Sequence, residues 1–238
     1  MTAGPKRVAL DVLEEPLAAA PHRLAGRLIA FSGVDGSGKT TLLEHTKRWL
    51  KRQCGLAASR VVMPSLTARR HPLFQTLMYD ADPVARATVD PLAVALLIMA
   101  DRRQLLFGDV LPRLARGEAV LCDRYVYCTL TDAAARDLEG RDALHRLAEL
   151  FPRPDLSFVM DADADVVLKR IRSRPSEQEM YVDEALLRRT VQTVRAFAAA
   201  NGFEVVPTDG EPEETFEQHV LPLLEQVAFP APALRALA

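Results

Sequence analysis

The stretch GVDGSGKTT, Gly33 to Thr41, decides how this 238-residue chain folds. It matches the pattern G-x-x-x-x-G-K-[ST] without a gap, and it lies between the apolar run RLIAFS and the amphipathic run LLEHTKRWL. A strand, a glycine loop and a helix in this order bind phosphate through backbone N–H groups and the helix N-terminus. The sequence therefore predicts that a nucleotide's phosphates are held by Gly33, Gly36, Ser37, Gly38, Lys39, Thr40 and Thr41.

Two side chains of this loop predict a chemical role. Lys39 offers a mobile cation to the β- and γ-phosphates, and Thr40 offers its hydroxyl to Mg²⁺, which bridges the phosphates during transfer. The pattern therefore indicates a protein that uses ATP with Mg²⁺, but it does not by itself identify the reaction.

The composition of the chain limits the classes of molecule that it is expected to bind. The chain has 30 Lys and Arg against 32 Asp and Glu, a formal net charge of -2, and no block of like charge. Such a balance argues against a broad basic surface for nucleic acid and favours a small-molecule partner. The longest apolar run, PLAVALLIMA, has about half the ~20 residues of a membrane helix. Three cysteines without C-x-x-C spacing fit a reducing compartment. We expect a soluble, cytoplasmic protein that engages no membrane.

Short apolar segments alternate with longer amphipathic ones along the chain. RLIAFS, SRVVM, EAVLCD, DLSFVMD and FEVVP each have the length of a buried strand, and helical periodicity marks the segments 41–53, 90–117, 143–151 and 183–202. The pattern predicts an α/β fold of three layers, with five parallel strands between helices and a short lid. We expect a domain over 25–227, preceded by an arm (1–24) and followed by a tail (228–238).

The remainder of the chain favours one class of nucleotide user. A GTPase would carry an Asn-Lys-x-Asp motif, but Asn201 in ANGF is the only asparagine. A mechanical ATPase would need more chain than one core domain. A small-molecule kinase fits the length, and such an enzyme needs arginines for its acceptor and a basic lid that excludes water.

The strand EAVLCD delivers two charged residues to the phosphate edge of the predicted sheet. Asp123 ends this strand and can organise Mg²⁺ or its waters, while the fork of Arg124 suits a pair of phosphate oxygens. Asp161, at the end of the fourth strand, is a competing carboxylate. Asp123 is preferred because an arginine follows it directly.

These motifs together carry a family resemblance. With GVDGSGKTT, then DRYVYCTL, then LSFVMDADADVVLKRI and an arginine-rich segment, the chain resembles thymidylate kinase over roughly residues 27–225. The resemblance implies transfer of the γ-phosphate of Mg-ATP to a deoxynucleoside monophosphate without a covalent intermediate. It also implies a homodimer packed through long helices.

The resemblance assigns roles to further residues. By position, Asp35 approaches the acceptor sugar, Arg124 meets the acceptor phosphate, and Arg102 faces the acceptor from a long helix. Ile98 lies one helical turn before Arg102, on the same face. Core packing is the alternative role for Ile98, and solvent exposure is the alternative for Arg102.

A basic segment supplies the predicted lid. Gly36 occupies the place from which some thymidylate kinases present a catalytic arginine, so the charge on the migrating phosphoryl group must come from elsewhere. Arg172 and Arg174 are the candidates, and Arg170 is assigned to helix packing. A solvated basic helix end is the alternative for this segment.

The part that reads the acceptor departs from the family pattern. Pro64 lacks its usual arginine neighbour, so Arg69 or Arg70 would have to reach the acceptor phosphate. Ile98 stands where the family has an aromatic ring, and Asp132 adds a carboxylate beside the base. The acceptor therefore stays open between a thymidylate-like monophosphate and a modified nucleotide, a nucleoside or a non-nucleotide metabolite. A nucleotide-binding regulatory protein without activity is a further alternative.

Overall fold

The computed structural model describes residues 16–174 and 182–229, and a five-stranded sheet organises them. All neighbouring strands are parallel, in the order β2-β3-β1-β4-β5. This sheet confirms the predicted fold class, and each strand begins and ends within one residue of its predicted position. The strands are β1 (Arg27–Ser32), β2 (Ala58–Val62), β3 (Ala119–Asp123), β4 (Leu156–Asp161) and β5 (Glu204–Pro207).

Central strand β1 shows why the sheet needs a helical layer on both faces. Successive side chains of a strand point to opposite faces. Leu28 and Ala30 enter one hydrophobic core, Ile29 and Phe31 enter the other, and all four are fully buried. A parallel strand that is apolar on both faces is stable only when both faces are covered.

Helices form the two outer layers. One core is closed mainly by α1 and the C-terminal helices, and the other by α5, α7, α8 and α10. The helices are α1 (Lys39–Gln53), α2 (Leu66–Arg69), α3 (Pro72–Tyr79), α4 (Pro83–Ala87), α5 (Pro91–Leu105), α6 (Leu111–Ala115), α7 (Val126–Ala135), α8 (Arg141–Ala148), α9 (Ala164–Arg172), α10 (Glu184–Asn201), α11 (Pro212–Thr215) and α12 (Leu221–Gln226).

The long helix expected over 90–117 is divided by a π-helical turn. Asp90 caps its start by accepting a hydrogen bond from the Leu92 amide at 2.9 Å. The π-helical segment Leu106–Val110 then joins α5 to α6, in which Pro112 follows closely. A second π-helical segment, Phe216–Val220, precedes Pro222 in the same way. Proline removes one N–H and crowds the preceding turn, and a wider turn relieves that crowding.

The part of the arm that the structure describes lies against the domain. The Leu17 amide donates to Asn201 Oδ1 at 2.8 Å, and His22 Nε2 lies 2.9 Å from Asp155 Oδ2. Residues 1–15 of the arm and 230–238 of the tail are outside the described residues.

The strand order fixes where a ligand can bind. Since β1 lies between β3 and β4, the connections on its two sides diverge and leave a crevice at the carboxyl ends of these strands. Within 16–174 and 182–229, the structure contains no helix with the length and apolar character needed to span a bilayer.

Candidate active site

The loop between β1 and α1 adopts a conformation that its glycines make possible. Gly33, Gly36 and Gly38 have φ values of 137°, 80° and 84°, which side chains other than hydrogen rarely allow. A Cβ on Gly33 would lie only 2.7 Å from Ser37 Oγ. Helix α1 begins at Lys39 without a side-chain cap or an acidic residue in its first turn. Its N-terminal amides and positive dipole end are therefore available to an anion.

Lys39 is buried within this loop, with only 6% of its surface exposed. Its Nζ donates to the carbonyl oxygen of Val34 at 2.6 Å. Burial lowers the pKa of Lys39 to about 8, and the neighbouring Arg124 charge acts in the same direction. A bound polyphosphate would offset both effects and raise the pKa of Lys39, because its negative charge stabilises the ammonium form.

Thr40 and Asp123 meet at the carboxyl ends of β1 and β3. Thr40 Oγ1 lies 3.4 Å from Asp123 Oδ2. These are the two residues that the sequence predicts for Mg²⁺. The same carboxylate oxygen also accepts a hydrogen bond from Arg60 of β2. The competing carboxylate is engaged elsewhere, since Asp161 Oδ1 accepts from Arg195 Nε at 2.7 Å.

Arg124 links the end of β3 to the phosphate loop. Its backbone is left-handed, with φ of 73°, and its side chain donates to the Gly33 carbonyl at 3.2 Å and to Asp35. The Arg124 guanidinium lowers the pKa of Asp35 to about 2, against the effect of burial. Burial disfavours the charge of Arg124 itself, but Asp35, Cys128 and Asp123 raise its pKa above the usual value. The pair is therefore ionised throughout the neutral range.

A cavity of about 280 Å³ opens beside this ion pair. Phe74 and Leu77 of α3, with Ile98 of α5, form its apolar wall, where they belong to one hydrophobic cluster. Gly33 and Asp35 line its opening, so the cavity communicates with the phosphate loop. Its mixed apolar and polar lining fits a small, partly apolar ligand next to the phosphate loop.

The cavity also has a polar wall, to which Arg102 of α5 belongs. Arg102 is 98% buried, donates to Thr129 Oγ1, and has its pKa lowered to about 10 by burial. Within the described residues, the Nε atoms of Arg102 and Arg69 are buried and make no hydrogen bond. Buried donors without partners are unfavourable, and a ligand with acceptor groups would satisfy them.

Asp132 lies on this polar wall with a partner one turn along α7. Its Oδ2 accepts from Arg136 Nε at 2.9 Å, and Arg136 also lines the cavity. The carboxylate is about two-fifths exposed. The predicted acceptor-side residues Asp35, Arg69, Ile98, Arg102, Arg124 and Asp132 thus all line one cavity.

Cys128 also lines the cavity, in the first turn of α7. Burial would raise the pKa of its thiol, but Arg124, Arg102 and a hydrogen bond from the Gly33 backbone outweigh burial and lower it. Cationic neighbours and a helix N-terminus are the usual conditions for a reactive thiol.

The three lid arginines are placed differently from one another. Arg172 pairs with Glu184 on α10 and points away from the cavity lining. Arg174 lies close enough to Asp35 for its charge to help lower that pKa. Arg170, assigned from sequence to helix packing, donates instead to the carbonyls of Gly36 and Thr208 at 3.4 and 2.6 Å. Pro175, Glu177 and Glu179 of the predicted lid lie outside the described residues.

Packing against α9 gives a structural reason for glycine at position 36, apart from the absence of an arginine there. A Cβ at this position would lie 3.1 Å from the Val167 carbonyl oxygen and 3.3 Å from Ile171 Cγ1, and the φ value already requires glycine. Helix α9 therefore packs directly on the phosphate loop.

Among the site residues that sequence reasoning missed are Arg60 and Arg136. Arg60 is the charged residue of a short parallel strand, which was the available signal, and Arg136 stands one helical turn after Asp132. Neither belongs to a motif, and only the fold brings them to Asp123 and to the cavity.

Comparison with known proteins provides independent evidence on the family of this chain. A family model described as thymidylate kinase matches residues 31–219. A "Probable thymidylate kinase" of Pyrobaculum aerophilum is 28% identical over 78% of this chain and 90% of its own length. A "Thymidylate kinase" of Trichormus variabilis is 29% identical over 79% and 90%. A "Probable thymidylate kinase" of Pyrococcus abyssi is 30% identical over 66% and 75%.

Proposed function

This chain belongs to the thymidylate kinase family, and we propose that it transfers the γ-phosphate of Mg-ATP to thymidylate or a closely related nucleoside monophosphate. Membership makes it an ATP-dependent nucleoside monophosphate kinase. The finer proposal rests on one observation: the cavity is lined by Gly33, Val34 and Asp35 of the phosphate loop together with Arg124.

The donor is held by the loop and the start of α1. The amides released by the three left-handed glycines, the α1 N-terminus and Lys39 together bind the β- and γ-phosphates. The low pKa of Lys39 supports this role, because the ammonium group is buried without a carboxylate partner among the described residues.

Thr40 and Asp123 fit the Mg²⁺ that accompanies ATP. Mg²⁺ prefers hard oxygen ligands, and it keeps several waters while one or two protein groups and the substrate phosphates complete its shell. A hydroxyl and a carboxylate 3.4 Å apart beside the loop are such a pair. When bound, Mg²⁺ neutralises charge that develops on the transferring group.

The acceptor occupies the cavity with its phosphate toward the loop. Arg124, assisted by Arg69, binds the acceptor phosphate, and Asp35 lies where the sugar would enter. Arg102 donates to an acceptor group of the base, while Ile98 packs against the ring face. Asp132 accepts from an N–H group of the base.

Transfer requires the acceptor phosphate oxygen to attack the γ-phosphorus while the bond to the bridging oxygen of ADP breaks. The chain's part is to hold both phosphates in line and to place cations on the migrating group. Arg174 is the better placed of the two lid candidates, and Arg172 would have to leave Glu184 to take part.

A second candidate function is phosphorylation of a modified nucleotide or another small acceptor. The observation in its favour is the wall around the base, where Ile98 replaces an aromatic ring and the pair Asp132–Arg136 adds two charges. Polar groups of this kind reject ligands that leave them unpaired.

ADP release from Mg-ATP, measured across thymidylate, other monophosphates and free nucleosides, tests the proposal. We expect the highest kcat/KM with thymidylate or a close analogue. A preference for unphosphorylated acceptors would contradict the role of Arg124. No acceptor-dependent release from the whole panel would favour a regulatory protein without activity.

Variants of α1 test the donor loop in the same assay. K39A should abolish transfer and leave the unfolding midpoint close to that of the unaltered protein. K51A, an exposed lysine of the same helix, is the matched control and should retain full activity. Turnover by K39A would contradict the assignment of the loop.

We also propose that the domain over 25–227 works in the cytoplasm as a homodimer. The exposed side chain of Phe107, on the long helical segment after α5, supports a packed partner surface there.

A further inference from the structure

The space between Thr40 and Asp123 already contains a cation that belongs to the chain. Arg60 donates through Nη2 to Asp123 Oδ2, and the same nitrogen lies 3.5 Å from Thr40 Oγ1. Its Nη1 is 3.7 Å from Glu44 Oε1 on α1. The Arg60 guanidinium therefore touches both residues that fit the metal of the donor site.

The position of Arg60 follows from the sheet. In the β2–β3 register Arg60 is paired with Leu121 and Val62 with Asp123, so Arg60 begins two residues below the strand end. Its long side chain covers that distance along the strand and brings the charged end to the carboxylate. Asp123 is only 7% exposed, whereas the Arg60 side chain is 29% exposed and can move into the crevice.

Asp123 needs a cation nearby whether or not a nucleotide is bound. An ionised carboxylate that is mostly buried is costly unless it is paired. Beside a loop built to hold a triphosphate, an unpaired Asp123 would also repel the ligand. Arg60 removes both problems in the free protein. A metal ion bound by Thr40 and Asp123 would lie next to the guanidinium, however, and two cations at that distance repel each other.

We propose that Arg60 is the counterion of Asp123 in the nucleotide-free enzyme and releases this carboxylate when Mg-ATP binds. This inference rests on the proposed donor site. Arg60 is a positioning residue: it pairs with Asp123 and holds this carboxylate in place for the metal, and it sets how strongly nucleotide binding depends on Mg²⁺.

Calorimetry tests whether Mg²⁺ replaces Arg60 at Asp123. It measures the binding of ATP to the full chain without an acceptor. In the unaltered protein, affinity is measured once with EDTA and once with excess Mg²⁺. R60Q should weaken metal-free ATP binding by about tenfold, the factor of one charged hydrogen bond, because Asp123 then repels the triphosphate. Mg-ATP affinity should be equal or higher, because the metal no longer competes with a guanidinium.

Three further variants separate this role from simpler ones. R60Q combined with D123N should restore metal-free binding, since the repelling charge is gone. R60K, which keeps the charge, should lie between R60Q and the unaltered protein and remains informative if R60Q does not fold. R116Q is the matched control, because Arg116 is exposed and pairs with Glu118 outside the crevice. It should change neither affinity.

The outcomes distinguish the inference from the function on which it rests. If R60Q, or R60K in its place, changes metal-free and Mg-ATP affinities by the same factor, Arg60 is not exchanged with the metal. If the unaltered protein binds no ATP under either condition, the donor site itself is wrong and the inference fails with it.

Discussion

Lys39 illustrates how one buried residue makes ligand binding depend on pH. Its ammonium group is held by the Val34 carbonyl, and burial lowers its pKa to about 8. The charge is therefore nearly complete below about pH 7 and is lost in the ligand-free enzyme as the pH rises through about 8. A bound phosphate should raise this pKa again, because its negative charge favours the ammonium form.

We expect the KM for ATP to be constant from pH 6 to about 7 and to rise as the pH passes through about 8. Deprotonation of Lys39 in the free enzyme removes the cation that the phosphates need. The measurement is KM for ATP against pH at a saturating acceptor concentration. A KM that stays flat to pH 9.5 would show that Lys39 does not titrate in this range.

Cys128 is expected to be the most reactive of three thiols. Arg124 and Arg102 lower its pKa, whereas burial raises the pKa of Cys54 and of Cys122. A lower pKa means more thiolate at neutral pH. Mass spectrometry after brief iodoacetamide treatment at pH 7 should find Cys128 modified first, and thymidylate should slow that reaction. Faster labelling of Cys54 would contradict the expectation.

At the scale of elements, the contact between α9 and the phosphate loop should affect the free energy of unfolding of glycine variants. G36A and G117A both place alanine at a φ of 80°, but a Cβ at Gly117 meets nothing within 4 Å. G117A should therefore lose about 1 kcal/mol of unfolding free energy, the cost of a left-handed residue.

G36A adds the crowding of Val167 and Ile171 to that cost. Overpacking typically costs a further 1–3 kcal/mol or so. Urea unfolding of the two variants gives the difference directly. Equal losses would mean that α9 yields to the new methyl group without cost.

Ile98 tests what the apolar wall of the cavity contributes. I98F should lower the KM for thymidylate by roughly two- to tenfold, the range of an aromatic pair. L96F on the outer face of the same helix is the matched control and should leave KM unchanged. A higher KM for I98F, with normal folding, would indicate that the cavity is shaped for a different acceptor.

Sequence patterns predicted the central strands well because β1, β3 and β4 are mostly apolar and each ends at a polar residue. They predicted the phosphate loop because its function depends on glycines at fixed spacing. They left the segment 66–87 unassigned, where α2, α3 and α4 are short and are positioned by contacts with α5. The contacts of Arg60 and Arg170 were beyond prediction, since each reaches a residue distant in sequence.

At the scale of the whole molecule, the exposed side chain of Phe107 indicates a surface that contacts a partner subunit. It is 69% exposed and lies about three helical turns beyond Leu96, so both face the same side of the long helical segment. A large exposed aromatic on a helix is typical of an interface.

We expect the protein to elute as a dimer in size-exclusion chromatography with light scattering, and F107E to elute as a monomer. A charge buried at an interface is unfavourable without a partner. V84E, at an exposed position of α4, is the control and should leave the dimer intact. A dimer that survives F107E would place the interface elsewhere.

The ion pairs of the crevice also have a kinetic consequence. Arg60, Arg124 and Arg136 are each held by a carboxylate: Asp123, Asp35 and Asp132 respectively. At a distance these three pairs contribute little net charge, so the field that an approaching nucleotide meets is weaker than the number of arginines suggests. Long-range steering is weak under such conditions. Association should therefore be only slightly slower at high ionic strength than at low, although the crevice is rich in arginine.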